Sequence, residues 1–271
     1  MRYVSIIIFC LLMLNGCTSF RAVLAMAKST DGFLSLKADT RIKYEDGSIK
    51  LAEEIAPYLD PAMQAVENNQ GVFKKAVVIY VTKSIDSFSS YCASKYPSAC
   101  VIGERLFISP KILKQQNRIP AILTHELSHL QLTQDIGRWD YQTNLPVWFK
   151  EGLAVYVSNG GGAEGVTEQE AVEAIIKGKA IKLNGSGDLL FRKTASSFGL
   201  KPHMFYRQSE MYVKWLYRMS PNKFKQLFSS LEEGKILDKA LSSVYGFTAG
   251  QGWIKFTGEV MHNKRVNSDR A

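Results

Sequence analysis

Residues 121–132 read AILTHELSHLQL, and they hold three side chains with the types and spacing for hydrolytic metal chemistry. His125 and His129 are four apart, so on a helix their imidazoles project from one face, one turn apart. Two ring nitrogens then reach a single ion at about 2 Å. Glu126 is rotated by about 100° from His125 around the helix axis. That removes it from the histidines' position as a ligand and leaves it within reach of a water on the metal. In this HExxH arrangement the metal lowers the water's pKa and the glutamate takes its proton. A single histidine would more often be a core or surface residue, but two of the chain's four fall at the ligand spacing on an apolar helix.

A catalytic zinc takes three protein ligands and leaves one position open. Three acidic residues downstream compete for the third place. Asp135 follows His129 at the spacing of metzincin-like sites, but Leu132 stands where such sites need a chain-reversing glycine. Asp140 lies in a polar connection with no supporting pattern. Glu151 belongs to PVWFKEGLAVYV, which opens with a helix-start proline and surrounds the glutamate with Trp148, Ala154 and Val155. A carboxylate on so apolar a face is costly without a cationic partner, and a metal supplies one. The competing reading pairs it with Lys150 at the surface.

The elements that must position these groups follow from periodicity and punctuation. Apolar residues from Leu51 to Asn69 recur at helical spacing, with Pro57 and Pro61 predicting a break or kink. AVVIYVT, residues 76–82, predicts a strand. CVIGERLFIS predicts a second extended segment with a bulge or turn at Gly103, ended by Pro110. Helices are expected from Pro120 to about Leu132, Pro146 to about Ser158 and Thr167 to about Lys177, with several more from about Met204. Thr167 and Glu170 have capping-box spacing. NGGGAEG, residues 159–165, reads as a flexible loop, with a cleft lid as its functional alternative.

At this point HELSH followed by LPVWFKEGLAVYVS resembles the gluzincin branch of the zincins, specifically the bacterial peptidase MA-like domain proteins. In that branch a second helix with an E-G-x-A motif supplies the third ligand. The resemblance covers roughly residues 76–258 and includes HMFYRQSEMYVKWL, which is similar to the family's tyrosine-bearing helix. It implies an α+β, zincin-like fold: a small mixed or antiparallel sheet N-terminal to the active-site helix, and a predominantly helical C-terminal half. It also implies a zinc peptidase with His125, His129 and Glu151 as ligands and Glu126 as general base. Tyr206 becomes the donor to the oxyanion, with His203 and Tyr212 in reserve. GERLFIS would be the edge strand that holds a peptide by β-augmentation, against the plainer reading of a core strand. The chain departs from the pattern at Val155, where thermolysin-like relatives place an acidic residue, and this leaves the outer support of the metal unidentified.

The N-terminus bears on location. Arg2 precedes an apolar run from Tyr3 to Leu14, too short to span a bilayer and shaped as an export signal. Leu14-Asn15-Gly16-Cys17 resembles the bacterial lipobox, in which Cys17 is acylated, and Thr18 favours the outer membrane. A soluble periplasmic or secreted chain is the alternative. The expected layout is a lipoprotein signal over 1–16, an anchored linker with a short extended segment over 17–50, a zincin-like domain over 51–262 and a disordered tail over 263–271. Cys92 and Cys100, with seven residues between them, predict a disulfide in an oxidising compartment. The formal net charge is +9, with basic residues scattered and no nucleic-acid-binding motif, so nucleic acid is not expected as a partner. A peptide or envelope-protein substrate, a membrane met through the lipid anchor and a monomeric state are expected. The rival classes are a zinc-binding but non-catalytic envelope scaffold and a metal-free binding module with structural histidines.

Overall fold

The computed structural model describes residues 24–183 and 192–268, the last five as backbone only. Cys17 and the stretch expected to be an export signal lie outside the described residues. The chain divides into two compact units, one of residues up to Leu59 with Ala76–Ile119, the other of Asp60–Lys75 with everything from Pro120 on.

The first unit is built on a five-stranded mixed sheet. Its strands are β1 (Leu34–Ser35), β2 (Ile42–Tyr44), β3 (Ile79–Val81), β4 (Ala99–Ile102) and β5 (Arg105–Ile108), in the order β1-β2-β3-β5-β4. β1 and β2 come from the stretch expected to be mainly linker. β3 runs parallel to β2 and β5, while β4 is antiparallel to β5. Side chains buried in the strands are mostly β-branched or aromatic: Ile42, Ile79, Val81, Phe107 and Ile108. Of the predicted strand at 76–82 only Ile79–Val81 enters the ladder. CVIGERLFIS folds as two strands, because Gly103 takes φ +63° at the first of two turn residues between Ile102 and Arg105.

Strand order corrects one expectation. GERLFIS contains β5, which is paired on both sides, so it is the core strand of the plainer reading. The edge strand beside it is β4, and β1 forms the opposite edge. Cys92, at the end of α2 (Ile85–Cys92), and Cys100 on β4 form the expected disulfide.

α1 (Ile49–Gln70) is one unbroken helix, contrary to the predicted break. Its buried stripe is Leu51, Ala52, Ile55, Leu59, Ala62 and Val66. Pro57 and Pro61, one turn apart, are both exposed, so the carbonyls that lose a helical donor face water and the apolar stripe carries the helix through.

In the second unit, after the C-terminal turns of α1, come α3 (Ile119–Ile136), α4 (Arg138–Thr143), α5 (Val147–Val157), α6 (Glu168–Ile176), α7 (Pro202–Met219), α8 (Pro221–Glu232), α9 (Leu237–Tyr245) and α10 (Ala249–Ser268). Pro146 caps α5, and Thr167 and Glu170 form the predicted capping box of α6. α5 and α7 pack closely at Gly152, where a Cβ would lie 2.6 Å from the Ser209 carbonyl oxygen. The glycine of the E-G-x-A motif is therefore required by helix packing. Trp148, Trp253 and Phe256 surround the fully buried Tyr212. α10 continues to Ser268, into the stretch expected as the tail. Extending a nucleated helix through a polar stretch costs little. Among the described residues, no helix is long and apolar enough to cross a membrane.

Candidate metal centre

α3 and α5 together bring three donors to one point. The Nε2 atoms of His125 and His129 are 3.2 Å apart, and Glu151 Oε2 lies 3.5 and 3.7 Å from them. Around a tetrahedral ion with bonds of 2.0–2.2 Å, donors are about 3.3–3.6 Å apart, so the residues fit a metal of that geometry. Both histidines are buried and Glu151 is mostly so. Three lone-pair donors this close in a poorly solvated spot require a cation or a shared proton among them. Among the described residues no other group of three or more His, Cys, Asp or Glu side chains converges in this way.

Each histidine has its second nitrogen engaged. His125 Nδ1 donates to the Gly161 carbonyl at 2.9 Å, which leaves Nε2 as the free lone pair. His129 Nδ1 lies 3.0 Å from the Tyr141 hydroxyl. Tyr141 comes from α4, which Gly137 starts at φ +81°. The Lys150 ammonium holds that segment by donating to the Tyr141 carbonyl at 3.1 Å and lying over its ring at 4.5 Å.

The glycine stretch after α5 is a packed support rather than a flexible lid. The N–H groups of Asn159, Gly160, Gly161 and Ala163 bond to the carbonyls of Tyr156, Val155, Ser158 and Gly160. The N–H of Gly162 donates to Glu164, and that of Gly165 to His203. Gly162, at φ +90°, lies so near His125 that a Cβ would stand 3.1 Å from the ring. A Cβ on Gly161 would meet the Ala121 carbonyl at 2.9 Å. Glycine is needed here for close approach.

The charges in the site act on one another. Burial opposes ionisation of Glu151, but the imidazoles of His129 and His125 outweigh it and hold the carboxyl far below the ordinary carboxylate range. Burial likewise disfavours the His125 imidazolium, yet Glu151 and, more weakly, Glu126 draw its pKa above the ordinary 6.5. The Tyr206 phenol is pushed well up, by the Glu151 charge first and by burial second. It therefore remains a donor at any physiological pH. Tyr141 is also raised, mainly by burial. Burial and then Arg192 push Lys150 down to about 7. Glu126, half-buried and next to His125 on α3, is felt electrostatically by His125, Tyr141 and Tyr206.

The remaining candidates fall elsewhere. Asp135 bonds Gln131 at 2.6 Å and pairs with Lys74 at 3.7 Å. Asp140 lies beside Gly234. Exposed His203 accepts the Gly165 N–H at 2.9 Å, and Tyr212 donates to the Ala249 carbonyl. Of the three proposed oxyanion donors, only Tyr206 faces the metal donors. The outer supports were missed because the segment 137–145 reads only as a polar connection and a carbonyl has no residue signature. Consecutive glycines immediately after α5 were the available signal, since they mark close approach as readily as flexibility.

A mixed sheet, a helix bearing two histidines and a second helix delivering a glutamate define a zincin-like fold. The family model of the peptidase MA superfamily matches residues 106–256, and the chain belongs to that superfamily. Among solved structures, yeast LTA4 hydrolase in complex with bestatin is similar in fold, with a TM-score of 0.51 and 14% sequence identity. The likeness covers 79% of this chain but only 36% of that one. No curated protein matches the chain by sequence.

Proposed function

We propose that this chain is a zinc-dependent peptidase of the gluzincin type, with His125, His129 and Glu151 as metal ligands and Glu126 as general base. The observation that carries the reading is the set of three donors 3.2–3.7 Å apart, with Glu126 the residue after His125 on the same helix and the ring of the protonated Tyr206 6.4 Å from that of His125. Bound there, zinc supplies a Lewis acid that acidifies a water and polarises the scissile carbonyl. Glu126 accepts the proton as the water oxygen bonds to the carbonyl carbon, and returns it to the amine as the C–N bond breaks. Tyr206 donates its hydroxyl proton in a hydrogen bond to the carbonyl oxygen as charge builds there. Gly161 and Tyr141 engage the Nδ1 atoms of the two imidazoles, leaving both Nε2 atoms to hold a metal.

Peptides or envelope proteins are the proposed substrates. A monomer tethered by acylated Cys17 to the periplasmic face of the outer membrane is the proposed setting, supported by the Leu14-Asn15-Gly16-Cys17 sequence. The test uses fluorogenic peptides with free and blocked N-termini. Glu126→Gln should keep its metal and lose roughly 10²–10⁴-fold in kcat/KM. Undiminished hydrolysis by that variant would refute the role of Glu126. A zinc-bound wild type that cleaves no peptide would favour the scaffold reading.

A further inference from the structure

Arg207 follows Tyr206 on α7 and spans both sides of the loop that orients His125. Its Nε donates to the Val166 carbonyl at 2.9 Å, Nη2 to the Ala163 carbonyl at 3.3 Å and Nη1 to Glu210 Oε2 at 3.3 Å. The guanidinium also lies along Gly160, where an added Cβ would be 3.4 Å from Nη2. The pair is poorly solvated, with the Arg207 side chain 13% exposed and Glu210 6%. A planar fork of five N–H donors can satisfy two carbonyls and a carboxylate together, which a lysine ammonium at the end of a flexible stem cannot do in this geometry.

The contacts bracket one atom. Gly160 stands immediately before Gly161 and Ala163 shortly after it, and the Gly161 carbonyl is what His125 Nδ1 bonds. The N-terminal side of the loop is fixed by its own backbone bonds to α5. The C-terminal side is held to α7 by Arg207, together with His203 on Gly165.

We infer that Arg207, anchored by Glu210, is a positioning residue for His125: it holds the glycine loop where the Gly161 carbonyl keeps the proton on Nδ1 and leaves Nε2 for the metal. The inference rests on His125 being a metal ligand. Glu210 also meets Lys214 at 3.9 Å, and Lys214 pairs with Glu168, the first residue of α6 and two beyond Val166. Lys214 thus shares the charge network without touching the loop.

Zinc affinity, measured by competition with a chromophoric chelator, and the visible spectrum of the cobalt-substituted protein test this directly. Arg207→Met alone would strand the Glu210 carboxylate, so it is combined with Glu210→Leu. The double variant should bind zinc about tenfold more weakly and show altered cobalt bands, as loss of an outer support does elsewhere. Arg207→Lys, which keeps the charge beside Glu210, should fall between it and wild type and carries the test if the double variant does not fold. Lys214→Met should match wild type. A folded double variant, or Arg207→Lys in its place, with wild-type zinc affinity and cobalt spectrum would overturn the inference, as would an equal loss in Lys214→Met. A wild type that binds no zinc would instead bring down the proposed function and this inference with it.

Discussion

His125 and His129 present the same nitrogen to the same point, yet they are steadied by different means. His125 leans on a backbone carbonyl in a loop of packed glycines, and Gly162 lies against its ring. His129 meets a phenol, Tyr141, carried on the short helix α4 and held by Lys150. The first support depends on where the chain runs and on the absence of side chains. The second depends on one hydroxyl. The loop should therefore fail when something is added to it, whereas α4 should fail when something is removed.

Gly162→Ala should have the largest effect. Its φ of +90° excludes an ordinary Cβ, and that Cβ would press on the His125 ring. Zinc affinity should fall by up to about 100-fold, with a loss of about 1–3 kcal/mol in thermal stability. Chelator competition and a melting curve check both, and wild-type affinity would break the comparison.

Tyr141→Phe comes next. The ring still packs beneath Lys150, whose bond goes to the backbone oxygen, so the melting temperature should hold. Zinc affinity should drop about tenfold through loss of the hydroxyl alone. An unchanged affinity would show that His129 needs no such partner.

The smallest change is expected at Asp135, on α3 but engaged with Gln131 and Lys74 rather than with the metal donors. Burial lifts its carboxyl above the ordinary 3.8, outweighing the Gln131 and Lys74 contacts. The folded chain thus holds this proton more tightly than the unfolded one. The resulting stabilisation is complete below the unfolded value and is lost as pH rises through the higher folded value. Asp135→Asn should flatten the fall in stability above about pH 4 and leave zinc affinity unchanged. Urea titrations across pH read the first, and a steeper fall in the variant would contradict it.

The difference between the two supports also explains what could be read in the residues. His125, Glu126, His129 and Glu151 announce themselves because their chemistry is in their side chains and the helical period fixes their facing. The Thr167–Glu170 box was legible for a similar local reason. Tyr141 was not, because its value depends on α4 folding back toward His129, and nothing in 137–145 encodes that return by spacing. The Gly161 carbonyl was hidden for a different reason, since every residue owns one. The edge strand was misassigned because strand order is a property of pairing: β5 resembles an edge segment until β4 doubles back upon it through Gly103. The prolines of α1 predicted a break that does not occur, because both face solvent while the apolar stripe stays continuous.

Elemental mass spectrometry of the purified chain, set beside Glu151→Ala, tests the centre most directly. About one zinc per wild-type chain, lost or strongly weakened in the variant, is the predicted result for a three-ligand site. A wild type without metal after incubation with zinc, or a Glu151→Ala variant that keeps its full complement, would contradict it.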